Sequence, residues 1–239
     1  MEIKAVKDKY KNKLFSVLGD SISTLEGYSR PADAAFYEGY LRLESDVIRP
    51  EDTWWGRVID RLGGRLLVNN SISGSMVSKH RSCTAPTYGC SDARTSDLSE
   101  NRHAPDVIMV FLGTNDWGCG VKPIPDAAQD GTEGEDISVF SVAYRLMLEK
   151  LMLNYPGAEI WCLTLPVGEC RSNGNFSFPY CYGGRHIEEY CRVIRQCAED
   201  LACRVIDLYN SPLRHDTLDG FHPNADGMRV LADEVLRQL

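Results

Sequence analysis

The sequence predicts an α/β protein in which parallel strands form a doubly wound sheet. Five short apolar runs are spread along the chain, and amphipathic helical patterns separate several of them. Parallel strands are joined by crossovers, usually helices, that cover both faces of the sheet, so such strands are apolar almost throughout. The predicted strands span residues 13–18, 65–69, 107–112, 159–165 and 204–208.

Three helical patterns support this fold class. Apolar side chains recur at spacings of three or four between residues 140 and 155, which predicts an amphipathic helix. We expect Asp136 to cap its start and the Pro-Gly pair at 156–157 to end it. The stretch 185–202 repeats the pattern, and a C-terminal helix is predicted to begin near Asn224.

The length and the connections indicate one domain. A chain of 239 residues suits a single α/β domain with a sizeable core, and no internal repeat divides it. We therefore expect one domain over residues 1–239. Four segments are longer than usual connections in such folds, and long loops on a rigid α/β core usually carry function. These predicted loops are 24–52, 78–105, 117–136 and 166–184.

The charge and the hydropathy pattern exclude two classes of partner. A formal net charge of -8 argues against a grip on nucleic-acid phosphates. No stretch approaches the roughly 18 apolar residues of a membrane span, and the N-terminus lacks the apolar centre of a signal peptide. We expect a cytoplasmic protein, and a secreted protein whose leader was removed stays open. The oligomeric state is not set by the sequence.

The nine cysteines show no C-x-x-C pair, so neither the usual zinc spacing nor a thioredoxin-like motif is present. Their odd number excludes complete pairing within the chain. We expect reduced cysteines that act as small hydrophobic residues. Cys170 and Cys181, which flank one loop, are the main candidates for an exception.

Polar residues follow several of the predicted strands at their carboxyl ends, where ligands bind in open parallel sheets. Ser21 follows the first strand in GDSIS, Gly74 follows the second, and Asn115 follows the third in GTND. Near the C-terminus, DGFHP contains Asp219 and His222. We expect these residues to meet at one edge of the sheet.

Together these residue types predict nucleophilic catalysis by serine. The Ser21 hydroxyl needs a base during attack, and His222, oriented by Asp219, is suited to that task. Attack on an ester carbonyl creates an oxyanion. The backbone N–H groups of Ser21 and Gly74 and the side-chain amide of Asn115 are candidate donors, each worth roughly 3 kcal/mol in the transition state.

In order and spacing, GDSIS, Gly74, GTND and DGFHP resemble the motifs of the GDSL or SGNH hydrolase superfamily of serine esterases and lipases. The resemblance implies a flavodoxin-like three-layer α/β/α fold and no cofactor or metal. It also implies the roles already assigned to the serine, the histidine, the aspartate and the three donors. The sequence departs at Ile22, where the family name has Leu, and residues 117–136 match no family motif. The alternative signature G-x-S-x-G does not occur.

Other functions remain open at this point. One is a lipase or thioesterase of the same superfamily. Another is a metal-dependent phosphohydrolase, because Asp20, Asp116, Asp219 and His222 could supply an oxygen-rich metal site. A carbohydrate-binding module that has lost catalysis would be expected to lack Ser21, Asp219 or His222, and all three are present.

The substrate is predicted less closely. Aromatic residues in and beside the long loops, mixed with Asn and Ser, could stack on a sugar, although packing is the expected role of most of them. Charged residues, Gly and Asn interrupt these aromatics, which argues against a long apolar trough. We expect a short acyl ester, acetyl first, of a small molecule or a carbohydrate. The aromatic residues are Tyr28, Tyr37, Tyr40, Trp54, Trp55, Phe176, Phe178, Tyr180 and Tyr182.

Overall fold

A five-stranded parallel sheet forms the centre of the computed structural model, which describes residues 2–31, 34–83, 85–125, 136–174 and 181–239. The strands are β1 (Leu14–Gly19), β2 (Arg65–Ser71), β3 (Val107–Phe111), β4 (Glu159–Leu163) and β5 (Arg204–Ile206). Their order across the sheet is β2-β1-β3-β4-β5, and all neighbours run parallel. The predicted doubly wound sheet of about five parallel strands is confirmed.

Helices cover the sheet in two groups. The helices are α1 (Glu2–Tyr10), α2 (Gly39–Ser45), α3 (Trp54–Leu62), α4 (Asp92–Thr95), α5 (Thr114–Gly118), α6 (Phe140–Asn154), α7 (Ile187–Asp200) and α8 (Ala225–Arg237). α3 packs against α1 and α8, whereas α6 packs against α4 and α7. The result is a three-layer α/β/α arrangement.

The register of the sheet brings three strand ends together. Gly19, the last residue of β1, pairs with Ser71 on one side and with Phe111 on the other. All residues of β3 are buried, as expected for a strand covered on both faces. Each large apolar side chain buried in this core contributes about 1.5 to 3 kcal/mol. The edge beyond Gly19 is therefore held on a rigid base.

One predicted helix start is wrong. α6 begins at Phe140, and Asp136 does not cap it. The Asp136 carboxylate instead accepts hydrogen bonds from the backbone N–H and the hydroxyl of Ser138, at 3.0 and 2.6 Å. An aspartate readily forms such a local turn with the residue two positions on. The Asp136 carboxylate is then not available to cap the helix. The predicted start of α8 is confirmed, because the Asn224 side chain accepts from the Gly227 N–H at 2.9 Å.

The long connections contain short elements of their own. α2 and a 3₁₀ turn, Pro50–Asp52, lie in 24–52, and α4 lies in 78–105. In 166–184, Gly168–Glu169 pairs with His215–Asp216, and Cys181–Tyr182 forms a hairpin with Arg185–His186. Parts of two predicted loops, residues 126–135 and 175–180, lie outside the described residues. With them lie Phe176, Phe178 and Tyr180.

All nine cysteines are free thiols in this structure, Cys170 and Cys181 included. Cys170 is buried, and its Sγ lies 3.4 Å from the Leu218 carbonyl oxygen. A helix that spans a membrane would need a longer apolar run than any of the described helices contains.

Candidate active site

The chain turns sharply after β1, and this turn presents Ser21. Residues Ser21–Ser23 form a single 3₁₀ turn, and the Asp20 side chain caps it by accepting from the Ile22 N–H at 3.1 Å. A Cβ at Gly19 would lie only 2.6 Å from the Cβ of Ser23, so only glycine allows the turn to fold so tightly against the strand end. Ser21 thus stands at the carboxyl edge of the sheet.

Ser21, His222 and Asp219 form one continuous chain of hydrogen bonds. The Ser21 Oγ lies 2.8 Å from Nε2 of His222, and Nδ1 of the same ring lies 2.7 Å from Oδ2 of Asp219. The other carboxylate oxygen, Oδ1, accepts from the backbone N–H groups of Phe221 and His222 at 3.0 and 2.9 Å. The short turn before α8 therefore orients both side chains toward the end of β1.

The Asp219 carboxylate determines which ring nitrogen of His222 carries the proton. Partial burial opposes its ionisation, but the hydrogen bonds and the nearby charge of His222 outweigh that effect and lower the pKa of Asp219 to about 2. An ionised Asp219 accepts a hydrogen bond from the Nδ1–H, which leaves the Nε2 lone pair of a neutral imidazole facing Ser21. The ring of Phe36 stacks on the His222 ring at a centroid distance of 3.5 Å and an angle of 6°.

The other candidate donors lie on two neighbouring loops. Gly74 follows β2 and has φ of +74°, a conformation that favours glycine. Asn115 lies in the first turn of α5, and its Nδ2 donates to the backbone oxygen of Ser75 at 3.0 Å. This bond places the Asn115 amide directly beside the residue that follows Gly74. The loops after β1, β2 and β3 thus carry Ser21, Gly74 and Asn115.

Asp116 holds the loop after β2 in place. It is fully buried, and it accepts from the N–H groups of Val77 and Ser78 at 2.8 and 3.0 Å and from the Ser78 hydroxyl at 2.5 Å. Although these bonds favour the charged form, burial raises the pKa of Asp116 to about 6. Its two carboxylate oxygens are therefore both hydrogen-bonded to the loop after β2. In the described ranges, no three His, Cys, Asp or Glu side chains are grouped so that they could hold a metal ion.

Sequence reasoning missed two side chains at this edge, Phe36 and Arg94. Arg94 is buried and donates to the Ser75 hydroxyl and to the backbone oxygens of Gly19 and Asn70. It lies in the polar stretch DARTSDL, which reads as an exposed turn, so no local pattern signals its burial. Phe36 lies in a loop whose aromatics give no hint of which one contacts the histidine.

A small cavity adjoins the Ser21 turn, the start of α5 and the turn before α8. Its lining includes Ile22, Thr114 and Phe221, which are the chain neighbours of Ser21, Asn115 and His222. Trp117, Leu165 and Ile187 also belong to its apolar lining. The cavity measures about 10 Å³, which is room for a group about the size of one water molecule.

The fold is a three-layer α/β/α domain architecture with a serine, a histidine and an aspartate joined at the sheet edge. Residues 13–166 match the sequence model of the GDSL-like lipase/acylhydrolase family. The chain belongs to this family. The matched range contains Ser21, Gly74 and Asn115 and ends before Asp219 and His222.

Solved structures with the same fold agree with this assignment. The chain is 28% identical to a protein of Bacteroides ovatus assigned to the GDSL-like lipases, with 94% of this chain and 96% of that chain covered and a TM-score of 0.70. A corresponding protein of Bacteroides uniformis is 29% identical, with 95% of each chain covered and a TM-score of 0.70. An aryl esterase of M. smegmatis shares the fold at 18% identity, with 95% and 97% covered and a TM-score of 0.64. A comparison with functionally curated proteins finds no match.

Proposed function

We propose that this protein is a serine ester hydrolase that cleaves short-chain carboxylic esters through an acyl-enzyme on Ser21. The observation that carries the proposal is the unbroken chain from the Ser21 Oγ through His222 to Asp219, with both links shorter than 3 Å. A nucleophile, a base and an orienting acid at hydrogen-bond distance are the parts that acyl transfer needs.

In the first half of the reaction, Nε2 of His222 accepts the Ser21 proton as Oγ attacks the ester carbonyl carbon. The resulting oxyanion accepts hydrogen bonds from the N–H groups of Ser21 and Gly74 and from Nδ2 of Asn115, which we define as the oxyanion site. As the tetrahedral intermediate collapses, the C–O bond to the alcohol breaks and His222 donates its proton to that alcohol. The acyl group stays on Ser21.

In the second half, water replaces the alcohol. His222 accepts a proton from the water as its oxygen attacks the acyl carbon, and the same oxyanion site stabilises the second intermediate. Collapse releases the carboxylic acid and returns the proton to Ser21. Asp219 stays ionised throughout and stabilises the imidazolium that forms in each half.

The cavity beside Ile22 supports a short acyl group. Its volume of about 10 Å³ suits the methyl group of an acetyl ester, and Trp117 and Phe221 close it. For the alcohol, we propose a small molecule or a carbohydrate. Tyr182 supports the second choice, because its ring contacts those of Trp117 and Phe221 yet is 46% exposed and can stack on a sugar.

We further propose that residues 1–239 act as one hydrolase domain. One hydrophobic cluster contains Tyr10 near the N-terminus and Val235 in α8, together with side chains from every strand of the sheet except β2. α8 packs against α3, so the turn that carries Asp219 and His222 is anchored to the same core as β1.

The proposal is tested by covalent labelling. A fluorophosphonate should form one adduct, which mass spectrometry locates on Ser21. Labelling should vanish in Ser21→Ala and persist in Ser99→Ala, a matched change at an exposed serine. An adduct on another residue, or labelling that survives in Ser21→Ala, would disprove the assignment of the nucleophile.

Asp219→Asn tests the hydrogen bond between His222 and Asp219. An amide donates where the carboxylate accepts, so it favours the wrong tautomer of His222, and kcat should fall on the order of 10³- to 10⁴-fold. Asp233→Asn, at an exposed ion pair on α8, serves as the control and should keep normal turnover. Near-normal turnover of a folded Asp219→Asn variant would contradict the role of Asp219.

A further inference from the structure

Arg94 is a buried cation close to the proposed oxyanion site. It is 2% exposed and lies on α4, within the predicted loop 78–105. Burial disfavours its charged form and lowers the pKa of Arg94 to about 10, so the guanidinium is still charged at neutral pH. Nη1 donates to the Ser75 hydroxyl at 2.7 Å, and Nη2 donates to the backbone oxygens of Gly19 and Asn70, both at 2.9 Å.

This environment is unusual for an interior arginine. Buried arginines are normally paired with a carboxylate, because an uncompensated buried charge is costly. Over the ranges that the structure describes, the hydrogen-bond partners of the Arg94 side chain are two carbonyl oxygens and one hydroxyl. Asp20 is the acidic group that acts most strongly on it, and it does so through space. Packing alone would be served better by an apolar side chain.

The three acceptors all belong to the segments at the ends of β1 and β2 that surround Ser21. Gly19 ends β1 two residues before Ser21, and Asn70 lies one residue before the end of β2. Ser75 follows Gly74, and its backbone oxygen accepts from the Asn115 amide. A single guanidinium thus joins the turn of the nucleophile to the loop on which the other two donors depend.

We propose that Arg94 is a positioning residue that sets the distance between the Ser21 turn and the Gly74–Ser75 loop, and thereby the aim of the three donors of the oxyanion site. The inference rests on the proposed esterase function. The planar fork of arginine suits this task, since it directs several donors at fixed angles, which the single ammonium of lysine cannot reproduce. Misplacement of such donors by about 1 Å costs on the order of 100-fold in rate.

The test compares Arg94→Lys and Arg94→Met with wild type on p-nitrophenyl acetate, with rates expressed per active site titrated by fluorophosphonate. We expect kcat to fall about 10- to 100-fold in both variants while KM changes little, because the donors act in the transition state. The affinity for a trifluoromethyl ketone, which forms a tetrahedral adduct with serine, should fall in parallel. Damage to folding alone would lower the number of titrated sites and leave the rate per site unchanged.

Two further variants protect this comparison. Ser75→Ala removes only one of the three acceptors, so it should fold and should show a smaller loss of kcat in the same direction. Arg195→Met is the matched control, since Arg195 is a mostly buried arginine on α7 with ion pairs to Glu188 and Asp207. It should lose stability but keep its rate per titrated site.

The outcomes separate the two proposals. If wild type is not acylated on Ser21, the esterase function and the role of Arg94 both fail. If Ser21 is acylated but Arg94→Lys and Ser75→Ala turn over within twofold of wild type per titrated site, only the role of Arg94 fails. A rise in KM at constant kcat would also overturn it, because that result indicates substrate binding instead of transition-state stabilisation.

Discussion

Asp20 shows how burial next to Ser21, the proposed nucleophile, changes the chemistry of one side chain. It is 1% exposed, its Oδ1 accepts from the Ile22 N–H, and its Oδ2 has no hydrogen-bond partner in the described structure. Burial raises the pKa of Asp20 to about 7, although the positive charges of His222 and Arg94 act in the opposite direction. The turn therefore tolerates a neutral Asp20 better than a charged one.

This gives a prediction for stability as a function of pH. A carboxyl whose pKa is higher in the folded than in the unfolded state stabilises the fold below its unfolded pKa, and that contribution is lost as the pH rises through the folded pKa. The stability of Asp20→Asn minus that of wild type should therefore increase from pH 6 to pH 8, by about 1.4 kcal/mol per unit below pH 7, and level off above it, where Asp20 is charged in both states. Urea unfolding at several pH values measures this difference.

The control for Asp20 is the exposed Asp233. Asp233→Asn should give a difference in stability that does not rise over the same pH range. A constant offset in Asp20→Asn has no bearing on the prediction, because it reflects the lost or gained hydrogen bond. A flat or falling difference between pH 6 and pH 8 would show that Asp20 is charged in the folded protein at neutral pH.

At the scale of elements, the hairpin of Cys181–Tyr182 and Arg185–His186 contacts the segment just after α5 through two glycines, Gly183 and Gly120. A Cβ at Gly183 would lie 2.5 Å from the backbone nitrogen of Gly120, so the two backbone segments pack together without side chains between them. The Trp117 indole also donates to the Arg185 oxygen at 3.0 Å. The hairpin thus supports the helix whose first turn carries Asn115.

Gly183 and Gly184 make a matched pair that isolates this contact. Both have positive φ, of +57° and +81°, but a Cβ at Gly184 would meet nothing within 4 Å. Gly184→Ala should cost about 1 to 2 kcal/mol from backbone strain alone. Gly183→Ala should cost a further 1 to 3 kcal/mol from overlap, as measured by urea unfolding. Equal losses in the two variants would show that the contact with Gly120 contributes nothing.

The elements also show which features a sequence reveals. All five strands were predictable within two residues at each end, because a buried parallel strand is signalled by its own composition. The start of α6 was not, since Ser138 competes for the Asp136 side chain. Two-residue strands and the four-residue α4 depend on tertiary contacts that leave no periodic pattern in the chain.

The candidate site divides in the same way. Ser21 and His222 lie 201 positions apart in the chain. The prediction brought them together because GDSIS follows the first strand and DGFHP precedes the last helix. Arg94 and Phe36 act on the site from loops, and their partners are set by the folding of distant segments. Motifs thus predict the groups proposed to react, whereas the groups that hold them appear only in three dimensions.

At the scale of the whole molecule, the position of the cavities bears on the length of the acyl group. An apolar groove of about 420 Å³ lies between α6 and α7 and is lined by Ile124, Leu146 and Val193 among others. None of its lining residues belongs to the candidate site. The cavity lined by Ile22, the residue after Ser21, measures about 10 Å³. The two cavities share no lining residue, so the groove between α6 and α7 does not extend the small cavity beside Ile22.

The last prediction follows from this arrangement. If each added CH₂ were buried in a trough, binding would improve by about 0.8 kcal/mol per CH₂, and rates would rise with chain length. We expect the opposite: kcat/KM on p-nitrophenyl esters from two to sixteen carbons should be highest at two to four carbons. Ile22→Ala enlarges the cavity and should move the optimum to longer chains. Ile124→Ala, in the groove between α6 and α7, is the control and should leave the profile unchanged.

EDTA completes the experiment, because the proposed reaction uses His222 and the N–H donors in place of a metal. Its rates should be the same with and without the chelator. Loss of activity with EDTA would favour the alternative function, a metal-dependent phosphohydrolase. Its metal ligands would be Asp20, Asp116, Asp219 and His222. A maximum at ten carbons or longer would indicate a lipase, and an Ile22→Ala profile that matches wild type would show that the acyl group does not enter the cavity.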